Sequence, residues 1–438
     1  MNGREMFLVH ARSSLGKRGF FQPGLVQAAM SCCSALLGIG NYVLILRMLA
    51  PDDFGTYMLV LWLAASFVPI LGTGTSRQAN RQLAEIQSQE APRYAAGIFY
   101  FLWYRQCRSM LCYCLVYLLL SFPLSWLFSV CRPLLLLMAG LSTLPLLLSN
   151  VVGITLRSQR SANLLAGLHL CGAFLSLLLI FIVALLPGQY VGMLLLALTL
   201  ANTLTLIIAV VCVLRLLPMR EALPPGFFLR ERLLQGLKHQ PLLFVLDVIV
   251  WQHSELLLLA CLRGASELGC YELCILLSTG MIELAPALAS YLLPWLIRYL
   301  PGAHDSGLYR AFVKTSSYIA LLAVPICLLV AVLAPQLIAG LNGAYLPAVA
   351  PLRILLVGCF FSSVATVSLT HLSYGQRKTA QLRLSIGVAI LHIVLAIPCV
   401  ALWGMLGAAL ASASAQVASA IGSIFICRNM LRQHELCR

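Results

Sequence analysis

Long apolar runs separated by short polar breaks occupy almost the whole chain. They cover residues 23–46, 56–75, 106–130, 133–156, 164–186, 190–214, 241–262, 269–297, 315–340, 348–374, 383–403 and 405–427. Each approaches or exceeds the roughly 20 apolar residues that carry a helix across a bilayer. The runs are continuous, whereas a membrane β-strand alternates in character over about 10 residues. The pattern therefore predicts an all-α polytopic membrane protein with about twelve transmembrane helices. Some spans are parted by a bare turn, as at Cys131-Arg132-Pro133, Pro187-Gly188-Gln189 and Trp403-Gly404.

Composition agrees: 61% of residues are hydrophobic and 10% charged, against about 25% charged in a soluble domain. Mean hydropathy is +0.93. In a soluble protein the net charge of +15 would suggest a nucleic-acid partner, but its distribution here points to the membrane. Of 29 Lys and Arg, only Arg47, Arg132, Arg263 and Arg353 fall on one side of the alternating loops. The positive-inside rule puts the crowded side, with both termini, in the cytoplasm. Arg4, Arg12, Lys17 and Arg18 precede the first run, which is longer than the apolar core of a signal peptide and is expected to be a retained helix. The 16 Cys show no metal-ligand spacing, and Cys in apolar runs behaves as a small hydrophobe. No nucleic-acid partner, metal or cofactor is expected.

The polar breaks also carry a repeat. Asp53-Phe54-Gly55-Thr56-Tyr57 and Glu267-Leu268-Gly269-Cys270-Tyr271 share acid, apolar, Gly and Tyr at a spacing of 214 residues, and Arg47 and Arg263 stand just before them. A second pair of loops, around Arg160 and Arg377, is 217 residues apart. Two copies of a six-span unit would enter from the same side, giving parallel repeats. The expected organisation is a cytoplasmic segment 1–22, a six-helix bundle 23–217, a linker 218–240, a second six-helix bundle 241–427 and a tail 428–438. The linker contains Pro224-Pro225-Gly226 and a Leu229/Leu233/Leu237 stripe that suits either an interfacial helix or a solvated connector.

The sequence has no P-loop, no Gly-x-Ser-x-Gly, no His-Glu-x-x-His and no paired Cys-x-x-Cys, and the outward loops are short. The reading is therefore a non-enzyme whose function lies among polar residues inside the spans, where ionisable groups are costly. Asp247, Trp251 and Glu255 recur on one helix face, with His253 beside them. Thr279 and Glu283 share a face with Glu272 on the next helix. These residues, with Asn41, are candidates for a substrate or ion pathway. Against that, Glu255 and Glu272 suit a partly hydrated outer interface, Tyr271 and Trp295 suit interfacial anchoring, and Asn41 suits interhelical hydrogen bonding. His169, His371 and His392 each stand alone on an apolar helix, which favours neutral core histidines.

The stretch Arg47-Met48-Leu49-Ala50-Pro51-Asp52-Asp53-Phe54-Gly55-Thr56-Tyr57 resembles the first-loop signature of the Wzx-type polysaccharide flippases, in the superfamily that includes the multidrug-and-toxin extruders. So does the exit Gly72-Thr73-Gly74-Thr75-Ser76-Arg77. Glu255-Leu256-Leu257-Leu258-Leu259-Ala260 ahead of Gly269-Cys270-Tyr271, Gly343-Ala344-Tyr345 followed by Leu352-Arg353, and Trp403-Gly404-Met405-Leu406-Gly407 are also similar. The resemblance implies a fold like that of the multidrug-and-toxin extruders. It also implies transport of an undecaprenyl-diphosphate-linked oligosaccharide across the bacterial inner membrane by alternating access, for O-antigen or another surface polysaccharide. The implied partners are the lipid-linked substrate, membrane lipids, a proton or sodium as coupling ion, and a polysaccharide polymerase with its chain-length regulator. The clearest interior charges here are acidic, at Asp247 and Glu283, which favours a neutral or amino-sugar glycan or a cation-coupling role for the carboxylates. The alternatives are an ion-coupled multidrug or metabolite extruder and, from a different class, a membrane glycan polymerase or ligase. The last usually carries a large periplasmic loop, and no such loop is legible.

Overall fold

The structure, a computed structural model, describes residues 21–71, 92–128, 132–158, 162–188, 190–217, 254–280, 307–374 and 378–436. Among these the chain is helical throughout, without a strand. In order come α1 (Phe21–Met48), α2 (Pro51–Leu71), α3 (Pro92–Leu127), α4 (Pro133–Ser158), α5 (Ala162–Ala184) and α6 (Tyr190–Leu216). Then come α7 (Glu255–Leu262), α8 (265–280), α9 (Gly307–Leu341), α10 (Val349–Tyr374), α11 (Lys378–Trp403) and α12 (Met405–Leu436). A 3₁₀ turn, Gly343–Ala348, leads into α10. Among the described residues nine segments are long and apolar enough to cross a membrane, by length and composition alone.

Several helix ends lie within a few residues of the hydropathy pattern, while α9 starts at Gly307 and not 315, α11 at Lys378 and not 383, and α12 runs on to Leu436 past 427; two further starts differ for a physical reason. α2 starts at Pro51, not at 56. Pro51 takes the first helical position, where its missing N–H costs nothing, and Asp52 and Asp53 occupy the first turn at the positive end of the helix dipole. The first helical bond runs from the Phe54 N–H to the Ala50 carbonyl at 2.9 Å. α3 starts at Pro92, not at 106, and its 36 residues extend about 54 Å at 1.5 Å each. That exceeds an apolar slab of roughly 30 Å, so the helix continues through the polar stretch around Arg105 and Arg108 that hydropathy reads as loop.

The described chain forms two compact units. One contains α1, α3 up to Leu120, α4 from Leu137, α5 and α6. Its core joins Ile98, Phe99 and Leu102 of α3, Val151, Val152 and Leu156 of α4, Leu168 of α5, and Ala209 and Val213 of α6. Helix α5 packs against both α1 and α6.

The other unit contains Leu49–Ser66, Ser121–Leu136 and the helices from α7 onward. Its centre is α12, which packs on α10 and α11. Ala408, Ala409, Ser412, Ala415, Ser419 and Ser423 are buried along it. Lipid chains are as apolar as Leu, so helices in a bilayer gain most from the close backbone approach that small residues permit. Gly358 of α10 shows how close: a β-carbon there would stand 2.9 Å from the Ala413 Cα.

Within this unit the two copies of the repeated motif pack on each other. A β-carbon on Gly55 would fall on the Ala265 carbonyl oxygen and lie 2.8 Å from the Gly269 nitrogen. One on Gly269 would fall on the Pro51 carbonyl oxygen and lie 3.0 Å from the Gly55 nitrogen. The first turns of α2 and α8 are thus in backbone contact, glycine against glycine. Phe54 fills the flank, fully buried, with its ring edge-on to Tyr345 at 6.0 Å. The Tyr345 hydroxyl donates to the Leu49 carbonyl at 3.1 Å.

Gly55→Ala and Gly269→Ala each force a methyl into backbone, and each is expected to cost about 1–3 kcal/mol of stability. Gly280, with nothing within 4 Å, provides the control: Gly280→Ala should be neutral or mildly stabilising, since alanine favours helix by roughly 1 kcal/mol. Thermal unfolding of the purified proteins in one detergent compares the three.

Candidate functional site

Arg263 and Glu267 flank the start of α8 and grip the turn between α11 and α12. The Arg263 guanidinium donates to the Ala401 carbonyl at 2.8 Å and to the Val400 carbonyl at 3.4 Å. Those are carbonyls of the last turn of α11, which a cation complements. Glu267 Oε2 accepts from the Met405 backbone N–H at 3.1 Å, satisfying a free donor at the start of α12. Gly404 makes the turn between them with φ of +56°, and a β-carbon there would collide with the Glu267 carboxylate. The acid of the second motif copy is therefore a helix cap set across 138 residues of sequence.

The other motif residues divide by burial. Arg47 and Asp53 are exposed, Gly55, Gly269 and Tyr57 are buried, and Glu267 is half-buried. Tyr271 is fully buried, which overrides the interfacial anchoring that its position suggests.

Tyr271 leads to a buried polar group that joins three helices. Its hydroxyl donates to Glu255 Oε1 at 2.7 Å. Glu255 Oε2 lies 3.3 Å from His392 Nε2, and both side chains are completely shielded from solvent. Three helices meet here: α7 carries Glu255, α8 carries Tyr271 and α11 carries His392. Ser412 of α12, also buried, stands beside Tyr271 and completes the group. An ionised carboxylate alone in such a place would cost many kcal/mol; the imidazole and phenol make it tolerable. Glu272 is also buried, at 4% exposure. Both Glu255 and Glu272 are thus shielded from solvent by the protein itself.

Sequence reasoning named Glu255 as a pathway candidate and Tyr271 as a motif residue, and it read His392 as a lone core histidine without joining it to either. Periodicity reports neighbours on one helix, and His392 joins Glu255 across 137 positions. The available signal was the type of residue, an imidazole and a carboxylate each alone in an apolar run. Of the remaining candidates, Thr279 is exposed on α8 and Asn41 is half-buried on α1, its Oδ1 buried without a hydrogen-bond partner among the described residues. Asp247, Trp251, His253 and Glu283 lie outside the described residues.

The first unit has a milder polar centre. Thr143 Oγ1 pairs with the Tyr113 hydroxyl at 2.7 Å, and Tyr113 stacks on Tyr117 at 5.4 Å. The Tyr117 ring fills the space over Gly140. Asn202 donates to the Ser142 carbonyl at 3.4 Å, the interhelical role expected of intramembrane amides.

Comparison with solved structures defines the fold. The chain is similar to "Lipid II flippase MurJ, inward closed conformation", at a TM-score of 0.64 and 12% identity, over 92% of this chain and 91% of that one. It is similar to an inward-facing multidrug resistance MATE family transporter of the MOP superfamily, at a TM-score of 0.68 and 13% identity, over 93% and 98%. A MOP superfamily transporter from Pyrococcus furiosus matches at a TM-score of 0.61 and 15% identity, over 93% and 94%. The fold is thus the all-helical one of MOP-superfamily membrane transporters. A family model described as "Polysaccharide biosynthesis protein" matches residues 44–350, and the chain belongs to that family. This agrees with the resemblance to the Wzx-type flippases. No curated protein matches the sequence.

Removing the Glu267 cap tests the turn. Glu267→Ala is expected to cost about 0.5–2 kcal/mol, with Glu267→Gln retaining part of the cap, as read from denaturation midpoints in detergent.

Proposed function

We propose that this protein is a flippase that carries a lipid-linked oligosaccharide, most simply an undecaprenyl-diphosphate-linked unit, from the cytoplasmic to the periplasmic leaflet of a bacterial inner membrane. The supporting observation is the conjunction of a polysaccharide biosynthesis family match with a transporter fold shared by a lipid II flippase. A large polar headgroup cannot cross hydrocarbon unaided, and a bundle of helices around a buried polar interior can shelter it. The moving bodies in this reading are the sequence halves 23–217 and 241–427, with both termini cytoplasmic by the distribution of Lys and Arg. In the structure Leu49–Ser66 and Ser121–Leu136 group with the second half, and alternation of access would have to undo that grouping. Asn41, Asp247, Trp251, His253, Glu255, Thr279 and Glu283 are the pathway candidates, with a proton or sodium as the coupling ion. A polymerase and its chain-length regulator would consume the product on the far side.

A drug or metabolite extruder is the second reading, favoured by the likeness to a multidrug transporter; the family description favours the glycan. Deleting the gene is expected to strip the surface polysaccharide and to leave the lipid-linked unit accumulated inside. Unchanged surface polysaccharide would reject the substrate class, and altered toxin resistance would favour the extruder. Asp247→Asn is expected to impair complementation; full complementation would remove Asp247 from the mechanism.

A further inference from the structure

We infer that Arg105 and Arg108 of α3, with Tyr104, form a binding site for the phosphate headgroup of an anionic phospholipid of the inner leaflet. This rests on the proposed orientation, which puts the start of α3 on the cytoplasmic side, and not on which substrate the protein moves.

Counter-charge carries the argument. Helices α1, α3, α4, α5 and α6 contain no Asp or Glu. Arg105 and Arg108 stand three residues apart on α3, close enough for their charges to repel. Neither guanidinium has a hydrogen bond or an ion pair with any described residue. Arg105 is half-buried and Arg108 exposed. Two cations side by side at a membrane surface are costly without an anion to answer them, and the helices of this unit supply none. Glu85 and Glu90, which precede α3, lie outside the described residues. The anion therefore comes from outside these helices.

The rest of α3 indicates which anion. Beyond the pair, Leu111, Leu115, Leu119, Phe122 and Trp126 recur at helical spacing and are all exposed. Gln106, Tyr113 and Tyr117, on the other side of the helix, are buried. An exposed row of that composition belongs against acyl chains. Trp126, at 87% exposure, suits the outer interface, where indoles collect. The stretch of α3 from Arg108 to Trp126 is about 27 Å long, close to the roughly 30 Å of hydrocarbon. Side chains on a helix lean toward its N-terminus, here the cytoplasmic side, so both guanidiniums reach toward the inner headgroups. Tyr104, one turn before Arg108 and 75% exposed, adds a hydroxyl at the same level. Guanidinium matches phosphate in a two-pronged contact, and basic groups on the cytoplasmic side of membrane helices attract anionic lipid. A soluble phosphate would satisfy the charges alone. A phospholipid satisfies the charges and the apolar row with one molecule.

The test uses the full-length protein, purified in detergent and read by native mass spectrometry with equal amounts of phosphatidylglycerol and phosphatidylcholine added. Each basic group near a membrane surface favours anionic lipid by roughly fivefold. The wild type is therefore expected to retain phosphatidylglycerol over phosphatidylcholine by about tenfold or more. Arg105→Gln with Arg108→Gln should bring the ratio within about twofold of parity. Arg108→Gln alone keeps the test alive if the double variant folds poorly, and should lower the ratio by roughly fivefold. Arg105→Lys with Arg108→Lys keeps the charge and should keep part of the preference. Arg132→Gln, an exposed arginine beyond the far end of α3, should leave the ratio unchanged. A wild-type ratio near parity, a ratio unmoved by the Gln variants, or an equal loss in Arg132→Gln would each overturn the inference. Displacement of the retained phosphatidylglycerol by equimolar undecaprenyl phosphate or inorganic phosphate would also overturn it, giving the pair to the transported lipid or to a soluble anion.

Discussion

Gly55 and Gly269 leave no room for a β-carbon, and much of the second unit is arranged around that fact. Two helices in lipid gain little from burying apolar surface, so close backbone contact must come from residues with almost no side chain. Here the contact joins the first turn of α2 to the first turn of α8. It draws Phe54 against Tyr345, and the Tyr345 hydroxyl to the Leu49 carbonyl. Residues some 300 positions apart are fixed by one pair of missing methyl groups.

The same economy governs polar groups, since an unsatisfied carbonyl or amide is expensive where no water reaches. Pro335 within α9 supplies no N–H to the Ala331 carbonyl one turn earlier. Arg353 Nε, at the start of α10, donates to that carbonyl at 3.1 Å. Arg263 and Glu267 treat the α11–α12 turn in the same way, a cation on terminal carbonyls and an anion on a terminal amide. These three groups look, in sequence, like stray charges in outward loops. In the structure they complete backbone hydrogen bonding that prolines and helix ends leave open.

Much of this was legible from the chain alone. Continuous apolar runs located the helices because a bilayer imposes one length and one polarity on every span. The repeated Asp/Glu-x-Gly-x-Tyr marked two related helix starts, and Pro51 with Asp52 and Asp53 supplied a start signal that hydropathy overrode by five residues. What a single sequence does not encode is which distant residues meet. The repeat predicted two similar hairpins without predicting that they would touch through their glycines. Glu255 and His392 were both visible as costly intramembrane residues, yet their separation of 137 positions matches no helical or strand period. Tyr271, read from its edge position as an anchor for the interface, is buried because α8 starts inside a packed corner.

That corner ties packing to the buried acid. Gly269 and Tyr271 stand two residues apart on α8, so the helix that rests its backbone on Pro51 also holds its phenol on Glu255. A hydrogen bond weakens steeply once its geometry leaves a narrow range, and the contact between α2 and α8 tolerates no slippage without backbone collision. Sliding or tilting α8 enough to release the glycine crossing would therefore carry Tyr271 away from the carboxylate. Release of the glycine crossing and loss of the phenol from the acid are thus two consequences of moving one rigid helix, which ties the fit at the start of α8 to the polar group one turn further along.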